Sequence, residues 1–349
     1  MSFQRIWAMF VARNYEFFRD RAALGWNFIF PILIVAGFAV IFGGNTRDVI
    51  KVGVFPIQSE RIKPNQLAIT PKFTGNNLFS FIGFENQETA VNKLKHHKID
   101  FLVKNGSPTD EYWVTETSHK GKIAEQIFNS SLVADEHENP GNRKKITGIE
   151  IRYIDWVFPG ILAMNMMFSS LFGVGYIIVR YRKNGVLKRF KTTPLNAIEY
   201  LTAQMFSRIF VLMSTLIIVW IGCDLIFSFH TVGSYLSLLF IFFLGGLSLI
   251  SLGLILAARG TSEEFTSGII NFITWPMMFL SEVWFSLEGS PEWVKAASNI
   301  FPLTHMLKAA RAIMNDGAGL VDVRQEILIL TSMFIICLII GASMFSWDE

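Results

Sequence analysis

Six cations, Arg180, Arg182, Lys183, Lys188, Arg189 and Lys191, fall within "RYRKNGVLKRFKTTP" (180–194) with no acid among them. Cations at that density attract anionic headgroups, acidic protein surfaces or phosphates. Nucleotide phosphates need more than charge. No G-x-x-x-x-G-K-[ST] loop occurs, and "HKGKI" (119–123) has a Gly-Lys pair without the upstream glycine or the hydroxyl that would reach magnesium. The two cysteines, Cys223 and Cys337, lie in apolar runs with no His or carboxylate cluster beside them. They suggest neither a disulfide framework nor a metal site. His96, His97, His119 and His137 show no metal-ligand spacing and read as surface histidines.

The elements that must position the cationic strip are set by composition. Hydrophobic residues make up 51% of 349 and charged residues 17%, with mean hydropathy +0.40, against about 25% charged in soluble domains. The chain is read as a membrane protein. A net charge of +3 with clustered cations gives no case for nucleic acid. Runs of roughly 20 apolar residues, the length that spans a ~30 Å hydrocarbon core, occur at 22–43, 157–179, 200–228, 232–257, 265–285 and 326–346. The first resembles a signal peptide but ends in "FGGNTRD" without a cleavage site, and is read as a retained anchor.

Lys and Arg in short loops set the orientation. Residues 1–21 carry four, loop 180–199 six and loop 258–264 one, whereas loop 229–231 carries none and 286–325 four. Both termini and the strip are therefore expected in the cytoplasm. Segment 44–156 falls outside, and with 15 cations and 14 acids over 44–155 it has the mixture of a soluble folded domain. It reads as α/β: strands at 49–55, 99–103, 111–117 and 146–154, helices at 86–97 and 118–134. The fold class is thus a six-span α-helical membrane protein with an α/β domain inserted between spans one and two.

Residues 3–18 predict an interfacial amphipathic helix, with Phe3, Ile6, Trp7, Phe10, Asn14 and Phe17 on one face and Arg5, Ala12, Arg13, Glu16 and Arg19 toward the other. In the strip, Arg180, Arg182 and Lys183 are expected to bind headgroups at the end of span two. Gly185 should break the helix, after which Val186, Leu187 and Phe190 share a side of a short helix ending before Pro194. Three apolar side chains facing the cytosol call for a partner protein. Between spans five and six, Trp293, Val294, Ala297, Ile300 and Phe301 suggest an interfacial or re-entrant helix pair broken at Pro302.

Residues 158–204, "FPGILAMNMMFSSLFGVGYIIVRYRKNGVLKRFKTTPLNAIEYLTAQ", and 279–313, "FLSEVWFSLEGSPEWVKAASNIFPLTHMLKAARAI", resemble the two signatures of the type-2 ATP-binding-cassette exporter permeases. The nearest subgroup is the bacterial multidrug-efflux type with a large outer domain. The resemblance implies a coupling helix docked on a separate ATPase, at Gly185, Val186, Leu187, Lys188, Arg189, Phe190, Thr192 and Pro194. It also implies an inner-membrane homodimer, or a pair of related permeases, over two ATPase subunits that hold ATP and magnesium, with no cofactor in this chain. A periplasmic adaptor is a further partner that the outer domain admits. The path implied by the resemblance, between spans two and five of facing subunits, puts Asn165, Phe168, Asn271 and Trp275 beside it.

Intramembrane polar residues are functional candidates, since a charge at mid-bilayer costs at least ~2.5 kcal/mol. Glu282, where relatives have a small residue, is a water-reached interfacial carboxylate, a cavity site favouring cationic cargo, or an ion-pair partner of Arg311 or Lys308. Gln204 and Arg208 read as snorkelling or packing residues and Asp224 as solvated. Ser169 with Gly173, and Gly253 with Ala257, permit close helix contact. Met164, Met166 and Met167 suit either the core or a surface for greasy ligands. His305, where relatives carry tyrosine, fills an interfacial slot or senses pH. The resemblance implies an exported cargo that is hydrophobic or amphipathic, drug-like or lipid-like. An ion-coupled secondary transporter and a non-transporting scaffold for an outer partner remain as alternatives, although no inverted repeat or matched pair of broken helices is visible.

Overall fold

Backbone polar groups in lipid have to bond within their own segment, so each apolar run is expected as a helix. Among the described residues, the computed structural model has five helices long and apolar enough to cross a membrane. It describes residues 2–42, 50–57, 62, 67, 69–76, 78–95, 99–106, 111–115, 118–132, 152–229, 231–258, 260, 262–287 and 290–347. The chain divides into two compact units, Met1–Gly44 with Ile149–Glu349, and Asn45–Gly148.

The first unit opens with α1 (Phe3–Arg19) and α2 (Arg21–Ile41). Asp20 between them accepts from the amides of Ala22 and Ala23 at 3.0 Å each, the usual way to satisfy the free amides of a helix start. Met9, Arg13 and Asn14 are the buried face of α1, whereas Phe3, Trp7, Tyr15 and Phe18 are exposed. The expected division of this helix therefore fails at Arg13 and Asn14. Arg13 turns inward onto Gln204 and Tyr181, whereas the Asn14 amide bonds back to the Phe10 carbonyl of its own helix.

In the other unit, β1 (Ile50–Phe55), α3 (Pro71–Thr74), β2 (Phe79–Gly83), α4 (Gln87–Lys95), β3 (Phe101–Lys104), β4 (Tyr112–Val114) and α5 (His119–Leu132) form an α/β fold with sheet order β2-β1-β3-β4. β1 pairs parallel with both neighbours, Val52 standing opposite Phe81 and Phe101, and β4 returns antiparallel. Alternation sorts the two faces. Val52, Val54, Phe81, Phe101 and Val103 pack with Phe128 of α5, and Phe55 and Leu102 pack with Ala90 and Leu94 of α4. The sequence reading has no strand at 79–83, although Phe79, Ser80 and Phe81 carry its alternation. Of the expected strand 146–154, residues 146–151 lie outside the described ones, as do His96, His97 and His137, while Tyr153 and Ile154 already begin a helix.

That helix, α6 (Tyr153–Lys183), has 31 residues, about 47 Å at 1.5 Å per residue against a ~30 Å core. A π-helical turn interrupts it at Leu171–Tyr176, and α2 carries another at Gly25–Ile29. There follow α7 (Val186–Lys191), α8 (Ala197–Phe227), α9 (Tyr235–Ala257), α10 (Glu263–Leu280), α11 (Glu292–Ser298), α12 (Pro302–Asp316) and α13 (Arg324–Met344). A Cβ at Gly253 of α9 would stand 3.4 Å from the Ser170 carbonyl, the close approach its type suggested. The expected span 265–285 stops at Leu280. Its helix has 18 residues, carries Glu263, Glu264 and Asn271, and is not one of the five apolar ones. α12 begins at Pro302 as expected, and it is buried along most of its length.

Candidate substrate cavity and coupling segment

α1, α2, α6, α8 and α10 together line a cavity of about 510 Å³. Phe17, Trp26, Phe168 and Phe172 give it aromatic walls, and Asn27, Asn165, Ser169, Arg208 and Asn271 give it polar groups. These groups are wired together. Asn27, inside the α2 π-turn, offers its carbonyl to Asn165 Nδ2 at 3.2 Å and its Oδ1 to the Ser169 hydroxyl at 2.6 Å. Arg208 donates to the carbonyl and the hydroxyl of that same Ser169.

Gly173, one turn beyond Ser169, is what admits the arginine, because a Cβ there would collide with its guanidinium. Ser169 and Gly173 thus make room for a side chain and not, as expected, for a helix. At the rim, Arg13 donates to Gln204 Oε1 at 2.9 Å, to Glu16 and to the Tyr181 hydroxyl. Asp20 and Arg180 complete it.

Of the expected pathway residues, Asn165, Phe168 and Asn271 are brought together here, and Trp275 and Glu282 are not. Trp275 lies one turn beyond Asn271 on the same side of α10, outside the cavity, 52% exposed and stacked on Phe279. Glu282 sits in a turn at φ +59°, in the left-handed region that non-glycine residues rarely adopt. Three contacts hold it. Its Oε1 accepts from the Leu287 amide at 2.9 Å, its carbonyl accepts from Arg311, and its carboxylate pairs with Arg311 at 3.6 Å. Arg311 also lies over the Trp156 ring at 3.7 Å. Burial pulls its guanidinium down to about 10, still well above neutrality. Of the three readings of Glu282, the structure carries the ion pair with Arg311. His305 is buried between Glu326 and the Asn299 carbonyl.

In the cationic strip, Gly185 has φ +69° and α7 starts directly after it, as expected. Leu187, however, is fully buried in its own chain, and Phe190 packs at 5.9 Å from the ring of Tyr200. The apolar side expected to face the cytosol thus anchors the helix, which leaves Lys188, Arg189, Lys191, Thr192 and Pro194 exposed. Val186 and Phe190 line a groove with Ala8, Met9 and Ala12 of α1. The Pro194 carbonyl accepts from Arg5, and the Ser2 amide donates to Glu199 at 2.7 Å, so α1 is tied to this segment. Arg182 is buried too. It donates to the carbonyls of Ala257 (3.0 Å), Ala258 (3.1 Å) and Gly260 at the end of α9, and of Ser346 (3.0 Å) beyond α13. Its expected role as a headgroup cation gives way to capping a helix C-terminus, where a cation is favoured. Lys183 pairs with Glu263 at 3.4 Å.

The profile of the ABC-2 family transporter proteins matches residues 21–343, nearly the whole chain. The chain belongs to that family. Among similar proteins, the daunorubicin resistance ABC transporter permease protein DrrB1 of Streptomyces coeruleorubidus is 24% identical over 177 residues, 49% of this chain and 61% of the relative. The match thus spans less than two thirds of that relative's length. As an ABC-2 chain with several apolar helices, this is a multi-pass membrane protein. Of the residues around its cavity, Asn27 carried no signal in the sequence beyond its polarity. Ser169, Gly173 and Arg208 did, as two small residues one turn apart on one span and an unmatched arginine on the next.

Proposed function

We propose that this ABC-2 chain is the permease subunit of an ATP-driven exporter in a bacterial inner membrane. α10 serves as the sixth span. Its 18 residues reach about 27 Å, close to the ~30 Å core. Both termini and the α7 segment face the cytoplasm, and the Asn45–Gly148 unit lies outside, where it can meet an adaptor. Two copies, or two related permeases, stand over two ATPase subunits, which bind ATP and magnesium and carry out the hydrolysis. Closure of the ATPases moves α7 and, through its ties to α1 and α8, the walls of the cavity. Asn165, Phe168 and Asn271 line the path of a hydrophobic or amphipathic cargo, and Trp275, exposed on α10, faces the second copy. The name of the DrrB1 relative, which links that protein to daunorubicin resistance, supports such a cargo.

The observation that carries this reading is α7 itself: a six-residue helix fixed from behind by Leu187 and presenting Lys188, Arg189 and Lys191 outward. Exposed charges seldom stabilise a fold, so reversing them tests docking and not folding. Lys188→Glu with Arg189→Glu should leave the melting temperature unchanged while abolishing co-purification with the ATPase and its stimulated hydrolysis. Retention of both would overturn the proposal. Labelling of a Lys188→Cys variant by a membrane-impermeant thiol reagent in intact cells would invert the orientation.

A further inference from the structure

Arg208 is only 9% exposed and lines the cavity. Its Nη2 reaches Ser169, but its buried Nε has no hydrogen-bond partner. Among the described residues, no carboxylate lies within ion-pair distance of it. A buried guanidinium with an unmet donor and no counter-charge is costly, because its five N–H groups and its charge have both left water. The other charges on the cavity wall do not answer it. Glu16 is held by Arg13 at 2.5 Å, and Asp20 caps the amides that open α2. Arg180 adds a second cation at the rim. Around this charge stand Phe17, Trp26, Phe168 and Phe172, in a volume of about 510 Å³, within the ~300–1,000 Å³ typical of ligand pockets.

We infer that the cavity binds an amphiphile with an acidic headgroup, a phosphate or carboxylate, whose oxygens reach Arg208 while its apolar body lies against the aromatic walls. This rests on the cavity being the cargo path proposed above. A cationic amphiphile would meet Arg208 with like charge. A zwitterionic one carries its own cation, which offsets the charge of its phosphate and would bring like charge toward Arg208. A single hydrogen bond to a charged group gives a preference of about tenfold or more.

The test is equilibrium binding to the full chain purified in nonionic detergent, followed by tryptophan fluorescence and calorimetry. The probes are a short-chain phosphatidic acid, the phosphatidylcholine of the same chain length, a single-chain quaternary ammonium amphiphile and inorganic phosphate. The phosphatidic acid should bind about tenfold tighter than the phosphatidylcholine and tighter still than the cation. Arg208→Gln should erase that order, and Arg208→Lys should keep most of it. Phosphatidic acid and phosphatidylcholine binding equally would overturn the inference, as would an unchanged order in Arg208→Gln. Inorganic phosphate binding as tightly as the phosphatidic acid would make this a free-anion site and overturn the amphiphile. If Arg208→Gln does not fold, the order in the unmodified chain and in Arg208→Lys still decides. Binding in this order without any stimulated hydrolysis in the assembled complex would sink the exporter reading alone. Stimulated hydrolysis without the order would sink only the headgroup.

Discussion

Arg182 offers the sharpest contrast between two accounts of one side chain. By position it is a cation at the end of a span, and such a residue contributes about 1 kcal/mol through anionic headgroups. By structure it is 2% exposed and donates to four backbone carbonyls, from Ala257, Ala258, Gly260 and Ser346. Replacing it by methionine fills most of the volume but strands those carbonyls, and hydrogen bonds to a charged group contribute about 1.5–3 kcal/mol each. The four share one guanidinium and are not additive, so the expected loss is about 4 kcal/mol, the range found when one member of a buried charged network is removed. At about 2–4 °C per kcal/mol for a domain of this size, that lowers the melting temperature by about 10 °C. Lysine, with three donors on a single nitrogen, should recover less than half. The assay is thermal unfolding of the detergent-purified protein followed by size-exclusion chromatography, with Arg180→Met, an exposed neighbour, as control. A shift in Arg182→Met no larger than that of the control would refute the capping account and restore the headgroup one.

Leu187→Ala removes a fully buried side chain and should destabilise by about 3 kcal/mol. The surviving folded protein should still bind the ATPase, and loss of binding at unchanged stability would show that Leu187 faces the partner. At Glu282, alanine keeps the left-handed backbone and leaves Arg311 without its carboxylate, so a loss of about 3 kcal/mol is expected. Glu282→Gly should be milder by about 1 kcal/mol, because glycine adopts positive φ freely, and melts showing alanine equal to or above glycine would refute this. Gly173→Ala should cost about 2 kcal/mol by displacing Arg208. The Gly173→Ala, Arg208→Gln double variant should then be more stable than the sum of its parts, and strict additivity in the double-mutant cycle would count against the contact.

What the sequence revealed and what it hid divide along a physical line. The helices announced themselves because apolar length is a local property, and strands β1 and β3 because Val52 with Val54, or Phe101 with Val103, alternate within a few residues, whereas β2 went unread. The arginines did not announce themselves either. Arg182 and Arg208 stand near the end of an apolar run and Arg13 on an amphipathic helix, places where a long cation can either snorkel to the interface or turn inward. Which of these happens depends on acceptors that lie 191, 75 and 39 residues away along the chain for the contacts to Gln204, Ala257 and Ser169. For Arg182 those acceptors are bare carbonyls, which every residue carries and no sequence pattern marks. For Arg208 the arrangement does leave a trace, because a guanidinium pressed against a helix needs a glycine to admit it and a hydroxyl to receive it, four residues apart. Ser169 and Gly173 read equally well as a helix-packing pair, since small residues on a span make space without specifying what fills it. The deciding term is the guanidinium's charge. A neutral helix backbone would have left Arg208 free to reach the interface, whereas a polar cavity with Asn27, Asn165 and Ser169 on its wall gives a buried cation a reason to stay.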